Sequence, residues 1–447
     1  MDDSERNRFS ARAARYARVG TNVGGVAARV AANRVFGLRL DRAKNAAELT
    51  AALGGLKGPI MKVAQLLATI PDALPAEYAV ELAKLQSEAP PMGWAFVKRR
   101  MSAELGPDWQ ARFASFEHKP AAAASLGQVH RAVALDGRPL AVKLQYPDMQ
   151  SAVETDLAQM RTVMAVGRQL FGAVDTREIA VEISDRIREE LDYAREGRAM
   201  ALYRGFFSGR DDIVAPEPVT ELSTGRLLTM AWLDGRGLME FVEADQERRD
   251  RIARLLFEAW WTPLIRIGVI HGDPHLGNYT FAGEAERLNL LDFGCIRIFP
   301  PSFVAGVLKL WRALIDEDRG AQAEAYRIWG FASLSDELID TLNIWARFIY
   351  GPLLDDRVRT VADGVSPAAY GRREAYRLKQ ALDRHGPVIV PREFVFMERA
   401  AIGLGAAFLR LGAAMNWRSI FEATLEGFSE PALAQRQAAA LSAVGLK

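Results

Sequence analysis

Cysteine and histidine are scarce in this chain, and neither sign of charge dominates. The 447 residues include one cysteine and five histidines, and 57 Lys and Arg stand against 56 Asp and Glu. One cysteine excludes an internal disulfide, and so few soft ligands argue against a zinc site. A net charge of +1 gives no overall attraction to nucleic acid. These absences leave oxygen ligands as the expected chemistry of any metal site.

Long apolar runs are missing as well. The most apolar late stretch, 400–409, lacks charge for ten residues, whereas a membrane span needs about 20. The opening residues are acidic, unlike those of a signal or transit peptide, so a cytoplasmic protein is expected. Residues 12–36 mix arginine with apolar residues. This mixture fits either a helix lying peripherally on an anionic membrane or a packed helix with a solvated basic face.

The remaining composition is that of a folded protein. Hydrophobic residues make up 49% of the chain and charged residues 25%. Periodicity and Gly/Pro punctuation predict an α+β fold with a helical extension (1–110), a small lobe with an antiparallel sheet (111–234) and a larger, mostly helical lobe (235–447). The helices expected before residue 235 are 46–56, 59–70, 76–86, 94–104, 149–171 and 177–203, and the expected strands are 126–135, 138–145, 219–223, 226–232, 278–281 and 288–291.

The strongest chemical signal is a pair of short motifs in the larger lobe. His-Gly-Asp at 271–273 is followed by Asn278, and Asp-Phe-Gly occupies 292–294. An Asp, an Asn five residues later and Asp-Phe-Gly further on are the order found in protein kinases. A carboxylate accepts the proton of an attacking hydroxyl, and amide and carboxylate oxygens suit magnesium. Asp273 is therefore the expected catalytic residue, and Asn278 and Asp292 are the expected magnesium ligands.

Phosphoryl transfer also requires a cation at the phosphates, held by an acidic side chain. Lys143 lies on the second strand of a hairpin predicted by Asp136-Gly137, and is the expected cation. Its acidic partner is expected in the long helix 177–203. The carboxylates at 189, 192 and 196 would share one face of a continuous helix. The candidates are Glu189, Glu190, Asp192 and Glu196.

A glycine-rich phosphate loop is absent before Lys143, and Ala121 to Gln128 takes its place. A turn of small residues can bring backbone N–H groups to phosphate, and fewer glycines should make it stiffer and alter the nucleotide preference. An Ala-rich helix start is the alternative. The residues expected around the nucleotide are Ala122, Ala123, Ala124, Ser125, Lys143, Met230 and Trp232.

The segment after Asp-Phe-Gly runs from Cys295 through Pro301 directly into a helical pattern. Protein kinases carry a phosphorylatable loop there, which closes with Ala-Pro-Glu. Because this chain has neither feature, a small-molecule or lipid substrate, or ATP hydrolysis alone, is expected rather than a peptide substrate. Cys295 is expected to be a small packing residue and not a nucleophile.

Over about residues 50–430, these motifs resemble the ABC1, ADCK or UbiB family of atypical protein-kinase-like proteins, known from ubiquinone biosynthesis. The resemblance implies a two-lobed kinase-like fold, and the Ala-rich stretch looks like the family's replacement for the glycine-rich loop. Glu190-Leu191-Asp192-Tyr193 matches the ExD motif, with Glu196 as the other candidate partner of the lysine. The family's lysine, catalytic and magnesium positions are matched by Lys143, Asp273, Asn278 and Asp292.

The helical extension carries a further signature of the family. Gly58 to Gln65 looks like its KxGQ helix, with Lys62 and Gln65 at the named positions. In the family this helix is thought to lie over the active site and meet the ExD carboxylates, which blocks peptide phosphorylation and leaves ATPase activity. The motif's glycine is Ala64 here, which favours the helix by about 1 kcal/mol but adds a methyl group to its packing.

The resemblance implies an enzyme that uses ATP, or ADP, with Mg²⁺. It would hydrolyse ATP or phosphorylate a small or lipid-like molecule in support of ubiquinone (isoprenoid quinone) synthesis. An anionic membrane surface or a quinone precursor is a further expected partner, and nucleic acid is not. Two alternatives stay open. One is a small-molecule phosphotransferase of the aminoglycoside or choline kinase type, which also uses His-Gly-Asp, and the other is a nucleotide-binding pseudokinase scaffold.

Overall fold

The computed structural model describes residues 92–124, 126–146, 184–331, 334–363 and 392–446, together with Met149, Val153, Glu154 and Leu157. Predictions outside these residues are the 12–36 segment, the helices 46–56, 59–70 and 76–86, nearly all of the helix 149–171, residues 177–183 of the helix 177–203, and the roles of Lys62, Ala64, Gln65 and Ser125. The chain forms two compact units, one of residues 1–91, 123–127 and 146–188, the other of residues 92–122, 128–145 and 189–447. Within the first unit, Arg188 pairs with Glu154 through two hydrogen bonds of 2.7 and 2.9 Å.

The fold is of the predicted α+β class, with a sheet-based small lobe and a mainly helical large lobe. In chain order, the described helices and strands are α1 (Trp94–Leu105), β1 (Phe113–Ala124), β2 (Gly127–Ala134), β3 (Pro139–Gln145), α2 (Tyr193–Phe206), β4 (Ile213–Val214), β5 (Leu227–Ala231), β6 (Arg236–Gly237), α3 (Gln246–Ile267), β7 (Val269–Ile270), β8 (Tyr279–Ala282), β9 (Arg287–Leu290), β10 (Arg297–Ile298), α4 (Pro301–Ile315), α5 (Arg319–Ile328), α6 (Asp336–Leu354), β11 (Arg359–Thr360), α7 (Arg392–Leu411), β12 (Ala414–Met415), α8 (Trp417–Thr424) and α9 (Glu430–Val444).

The small lobe is built on a sheet of order β1-β2-β3-β5. Strand β3 pairs antiparallel with β5, which sets Lys143 opposite Leu228 and Ala141 opposite Met230. Alternation along β3 sends Leu140, Val142 and Leu144 into a core shared with α1, and therefore presents Lys143 on the other face. The hairpin between β2 and β3 turns at Asp136-Gly137 as predicted, with Gly137 at a φ of 87°.

Three elements differ from the sequence prediction. Strand β1 was not predicted, because its largely exposed side chains lack an apolar alternation. The strand expected at 219–223 is instead a short 3₁₀ turn, Thr220–Leu222, closed by a 2.7 Å hydrogen bond from Ser223 Oγ to the Val219 carbonyl. The helix expected to continue to residue 203 is interrupted at Leu191-Asp192.

The interruption has a local cause. The Asp192 carboxylate accepts a 2.9 Å hydrogen bond from the Arg195 N–H and so caps the start of α2. Because Asp192 is a cap and not an interior helical residue, the expected common face of Glu189, Asp192 and Glu196 does not form. Glu196 alone of these three lies within α2, in its first turn.

The large lobe is organised around α3, whose apolar residues are buried along its length. The helix begins at an Asp245 cap and ends at Gly268 in a left-handed conformation, with a φ of 65°. Helix α9 packs against α2, α3 and α4. Gln437 of α9 donates to the Ile267 carbonyl at 3.0 Å and the Phe299 carbonyl at 2.8 Å, which fixes α9 to the end of α3. In the described part of the chain, none of the helices has the length and apolarity needed to span a membrane.

Candidate active site

Lys143 is held between two carboxylates on the inner face of the small-lobe sheet. Its Nζ lies 2.7 and 2.9 Å from the two carboxylate oxygens of Glu196 and 3.2 Å from Oδ2 of Asp292. Lys143 is 8% exposed and Glu196 2% exposed. Strand β3 supplies the lysine, α2 supplies the glutamate, and a residue just after the β8–β9 hairpin supplies the aspartate. Of the acidic candidates in 177–203, Glu196 is the one that contacts Lys143.

The charges of this cluster are strongly coupled. Burial lowers the pKa of Lys143, but the Asp292 and Glu196 charges outweigh it and raise that pKa well above its ordinary value. Burial raises the pKa of Glu196 to about 7, although Lys143 opposes the shift. The Tyr193 ring lies 5.1 Å from Nζ and adds a cation–π contact. The lysine therefore stays charged, while its glutamate partner titrates near neutral pH.

The other acidic candidates have different contacts. Glu189 lies 3.7 Å from Arg195 and 3.4 Å from Arg297. Glu190 accepts a 3.2 Å hydrogen bond from the thiol of Cys295, which is 7% exposed. The carboxylate beside this thiol disfavours the thiolate, so the contact suits a packing and hydrogen-bonding role for Cys295.

The backbone carbonyl of Asp273 is the common hydrogen-bond acceptor of the loop that carries this residue. Three side chains lie within hydrogen-bonding distance of that oxygen: His271 Nδ1 at 3.2 Å, Asn278 Nδ2 at 3.3 Å and the Tyr279 hydroxyl at 3.3 Å. The Asp273 carboxylate accepts a 3.3 Å hydrogen bond from the His275 N–H. The loop therefore has a defined shape on both sides of the catalytic candidate.

Strand pairing brings the two candidate magnesium ligands to the same end of one hairpin. Tyr279 of β8 pairs with Leu290 of β9, and the Leu291 N–H donates to the Asn278 carbonyl at 3.0 Å. Asp292 follows directly, and its Oδ1 accepts a 2.9 Å hydrogen bond from the Gly294 N–H. Among the described residues, no group of three or more His, Cys, Asp or Glu is placed to hold a metal. One carboxylate and one carboxamide fit Mg²⁺, which takes its remaining oxygens from phosphate and water.

Aromatic packing links α2 to both motifs, a connection that sequence reasoning missed. The His271 ring lies 5.5 Å from the Phe293 ring and 6.1 Å from the Tyr203 ring, and Tyr203 and Phe293 are 5.4 Å apart. Burial lowers the pKa of His271, which favours the neutral ring. Tyr203 lies in a helix without a recognisable motif, so no sequence signal marked it.

Gly272 has a steric reason to be glycine. Its φ is 73°, and a Cβ there would lie 2.0 Å from the Cys295 carbonyl oxygen. The approach follows from the pairing of β7 with β10, which sets Ile270 opposite Arg297. The His-Gly-Asp and Asp-Phe-Gly segments therefore touch through their backbones, and a side chain at residue 272 would separate them.

The residues predicted to surround the nucleotide lie in different elements. Ala122, Ala123 and Ala124 end strand β1, so the expected turn of small residues is extended up to Ala124. Met230 is 6% exposed in β5, opposite Ala141. Trp232 follows β5, donates from Nε1 to Asp234 at 2.8 Å and lies 4.9 Å from the Arg131 guanidinium.

The connection after Asp-Phe-Gly is short. Residues 295–300 separate Gly294 from the start of α4 at Pro301. Within them, β10 pairs with β7, and the Phe299 N–H donates to the Gly268 carbonyl at 2.8 Å. The segment is therefore tied to the large lobe as a short strand.

Comparisons with known proteins identify the family that this chain resembles. The profile of the ABC1 atypical kinase-like domain matches residues 84–326. The chain is 33% identical over 298 residues to the mitochondrial atypical kinase coq-8 of Caenorhabditis elegans, which covers 64% of this chain and 39% of that protein. It is 32% identical over 268 residues to AarF domain-containing protein kinase 1 of Xenopus tropicalis, which covers 59% of this chain and 51% of that protein. The chain thus spans about two fifths to one half of these curated relatives.

A solved structure of similar length also matches. It is described as the complex of Rv3197 with erythromycin from Mycobacterium tuberculosis, and it is 28% identical in sequence with a TM-score of 0.60. The match covers 85% of this chain and 95% of the other.

Proposed function

The chain belongs to the ABC1 atypical kinase-like family, and on this premise we propose that it binds ATP with magnesium and either hydrolyses it or phosphorylates a small or lipid-like molecule. The observation that carries the proposal is the position of Lys143 between Glu196 and Asp292. A buried lysine held by an acid on a helix and by the Asp of Asp-Phe-Gly is the arrangement that phosphoryl transfer requires.

Each side chain has a defined role in this proposal. Lys143 binds the α- and β-phosphates, Asp292 and Asn278 would hold Mg²⁺, and the metal neutralises phosphate charge when bound. Asp273 accepts the proton of the attacking water or acceptor hydroxyl while the oxygen of that water or hydroxyl bonds to the γ-phosphorus. The bond between the γ-phosphorus and the oxygen that bridges it to the β-phosphate then breaks, and ADP leaves. The hydrogen bonds to the Asp273 carbonyl hold this carboxylate in place before the nucleotide arrives.

The short connection between Gly294 and α4 supports a small substrate over a peptide. The mycobacterial structure is described as a complex with erythromycin, which also points to a small-molecule ligand in a related chain. A quinone precursor at an anionic membrane surface is the substrate proposal that follows from the family resemblance. Magnesium-dependent phosphate release, measured with and without anionic vesicles and quinone-like phenols, tests both parts.

Replacing the lysine tests the proposed function directly. Lys143→Met keeps a similar length but removes the charge that meets the phosphates, and we expect kcat/KM for ATP to fall about a hundredfold or more. Lys309→Met is a matched control, since Lys309 of α4 also pairs with a glutamate, Glu324 of α5, at 2.5 Å. Phosphate release and nucleotide affinity are measured for both variants. Equal behaviour of the two variants would reject Lys143 as the phosphate ligand.

Glu196 should give the activity a pH dependence near neutrality. Burial raises its pKa from 4.5 to about 7, so the folded protein takes up a proton as the pH falls through about 7. Protonation removes the negative partner of Lys143, and we therefore expect ATP turnover to fall in that range. The effect on stability has the opposite direction. The raised pKa of Glu196 adds to the free energy of unfolding in full below pH 4.5, and this contribution is lost as the pH rises to about 7.

The pH profile of turnover, compared between the wild type and Glu196→Gln, checks this assignment. The glutamine has no titrating group at this position, so its profile should lack the transition near pH 7. A transition of the same midpoint in both proteins would assign it to another group, such as the nucleotide.

A further inference from the structure

The loop that carries Asp273 lies close to Gly403, a residue outside every motif recognised in the sequence. Gly403 lies in α7, and a Cβ built on it would be 2.1 Å from Cγ and 2.7 Å from Cβ of Pro274. Real Cβ atoms do not approach another carbon this closely. The residue next to the catalytic candidate Asp273 therefore rests against the bare backbone of α7.

Helix α7 cannot readily withdraw from this contact. Its residues at 400, 404, 407, 408 and 411 are each at most 6% exposed and form one buried stripe toward the large-lobe core. Phe408 of this stripe lies 4.7 Å from the Trp417 ring and 6.4 Å from the Phe257 ring. Gly403 lies one position before Leu404 of the stripe, so the backbone at Gly403 is fixed by well-packed neighbours.

If a side-chain atom is added at Gly403, the loop at Pro274 must move, because α7 is fixed. Pro274 has a rigid ring, so it cannot escape by a change of rotamer. A displacement of Pro274 passes to Asp273, because the two share a peptide bond. The Asp273 carbonyl is the acceptor for His271, Asn278 and Tyr279, so its movement disturbs the hydrogen bonds of the whole loop.

We infer that Gly403 is a positioning residue for Asp273: its missing side chain lets α7 support the loop at Pro274 and sets the place of the carboxylate. The inference rests on the proposed function for its kinetic consequence only. Among the described residues, the atoms nearest to the position of a Gly403 Cβ all belong to Pro274 and none to Lys143, so nucleotide affinity measured without magnesium should not depend on Gly403.

Helix α7 contains its own control for this inference. Gly405 lies two residues further along the same helix, and no described atom apart from the neighbouring helix backbone lies within 4 Å of the position that a Cβ would take there. Alanine is favoured over glycine in a helix by about 1 kcal/mol at either position. Gly403→Ala and Gly405→Ala therefore share their effect on helix propensity and differ in the contact with Pro274.

The experiment compares these two variants in three measurements: kcat, nucleotide affinity in the presence of a magnesium chelator, and amide hydrogen exchange of the 271–279 loop. For Gly403→Ala we expect kcat to fall about tenfold or more, with unchanged magnesium-free nucleotide affinity and faster exchange in the loop. For Gly405→Ala we expect wild-type values of all three. If Gly403→Ala keeps the wild-type kcat and exchange, or loses magnesium-free nucleotide affinity in proportion to kcat, the inference is wrong.

A second pair of variants covers the case in which Gly403→Ala does not fold. Pro274→Gly removes the ring atoms that Cβ would meet, so adding Gly403→Ala to it should cost no further activity, stability or exchange protection. An equal loss in the Pro274→Gly background would overturn the contact as the cause. If the wild type shows no ATP turnover, the proposed function fails, while the exchange and stability data still decide whether Gly403 positions the loop.

Discussion

Asp292→Asn is expected to abolish magnesium-dependent ATP turnover, with a loss of at least about a hundredfold in kcat/KM. The Asp292 Oδ1 accepts from the Gly294 N–H, and Oδ2 lies 3.2 Å from Lys143 Nζ. The asparagine keeps the first contact through its oxygen but turns an NH₂ donor toward the lysine. The variant thus loses the negative charge of the candidate metal ligand and gains a repulsive contact with Lys143.

Nucleotide affinity measured with Mg²⁺ and with a chelator separates the effect on magnesium binding from the repulsion at Lys143. Asp292→Asn should bind nucleotide equally in both conditions, whereas the wild type should bind more tightly with Mg²⁺. Asp340→Asn is a suitable control, because Asp340 of α6 is an exposed carboxylate that pairs with Arg319 of α5 at 2.6 Å. Unchanged turnover and magnesium dependence in Asp292→Asn would reject the assignment of Asp292.

Gly272→Ala is expected to lower the free energy of unfolding by about 2–4 kcal/mol, which combines left-handed backbone strain with a steric overlap. The added Cβ would lie 2.0 Å from the Cys295 carbonyl oxygen, and a backbone atom cannot move aside as a side chain does. Relief requires β7 and β10 to separate. The loss should therefore appear as a lower denaturation midpoint in urea or on heating.

Gly427→Ala isolates the backbone part of this loss. Gly427 has a φ of 68°, close to the 73° of Gly272, but no atom lies within 4 Å of the position of its Cβ. Its alanine variant should therefore lose only about 1–2 kcal/mol. If both variants lose the same free energy, the contact with Cys295 contributes nothing to stability.

Local chemistry made much of the site readable from the sequence. Asp-Gly at 136–137 predicts the hairpin that presents Lys143, since a turn with a positive φ favours glycine. The spacing from Asp273 to Asn278 and the Asp-Phe-Gly motif predict residues that the structure places at one loop and one hairpin end. These predictions depend on few residues close together in the chain, where the backbone geometry limits the outcome.

The acidic partner of Lys143 could not be predicted uniquely from the sequence. Four carboxylates cluster between residues 189 and 196, and a continuous helix would have given several of them one face. The Asp192 cap breaks that helix and leaves Glu196 in the first turn of α2, facing Lys143. Aspartate is favoured at helix N-caps but also occurs inside helices with its side chain in solvent, so Asp192 alone did not decide the position of the break.

Contacts between segments far apart in the chain could not be predicted from the sequence. Gly403 and Pro274 meet only because α7 packs onto the large-lobe core, and glycine in a helix usually signals nothing more than a weak helix. Tyr203 joins His271 and Phe293 for a similar reason. Such contacts depend on how complete helices pack, which a single sequence does not encode in any short pattern.

Helix α9 follows every other described element in the chain, yet it packs against α2, which carries Glu196. Synthesis proceeds from the amino terminus, so the ribosome releases the candidate cluster of Lys143 and Glu196 before the helix that packs against α2 is made. Until then the apolar surface that will cover Leu433 and Leu441 stays open to water or to chaperones. A stop before residue 430 is therefore expected to leave Lys143 and Glu196 in the chain without the helix that packs against α2.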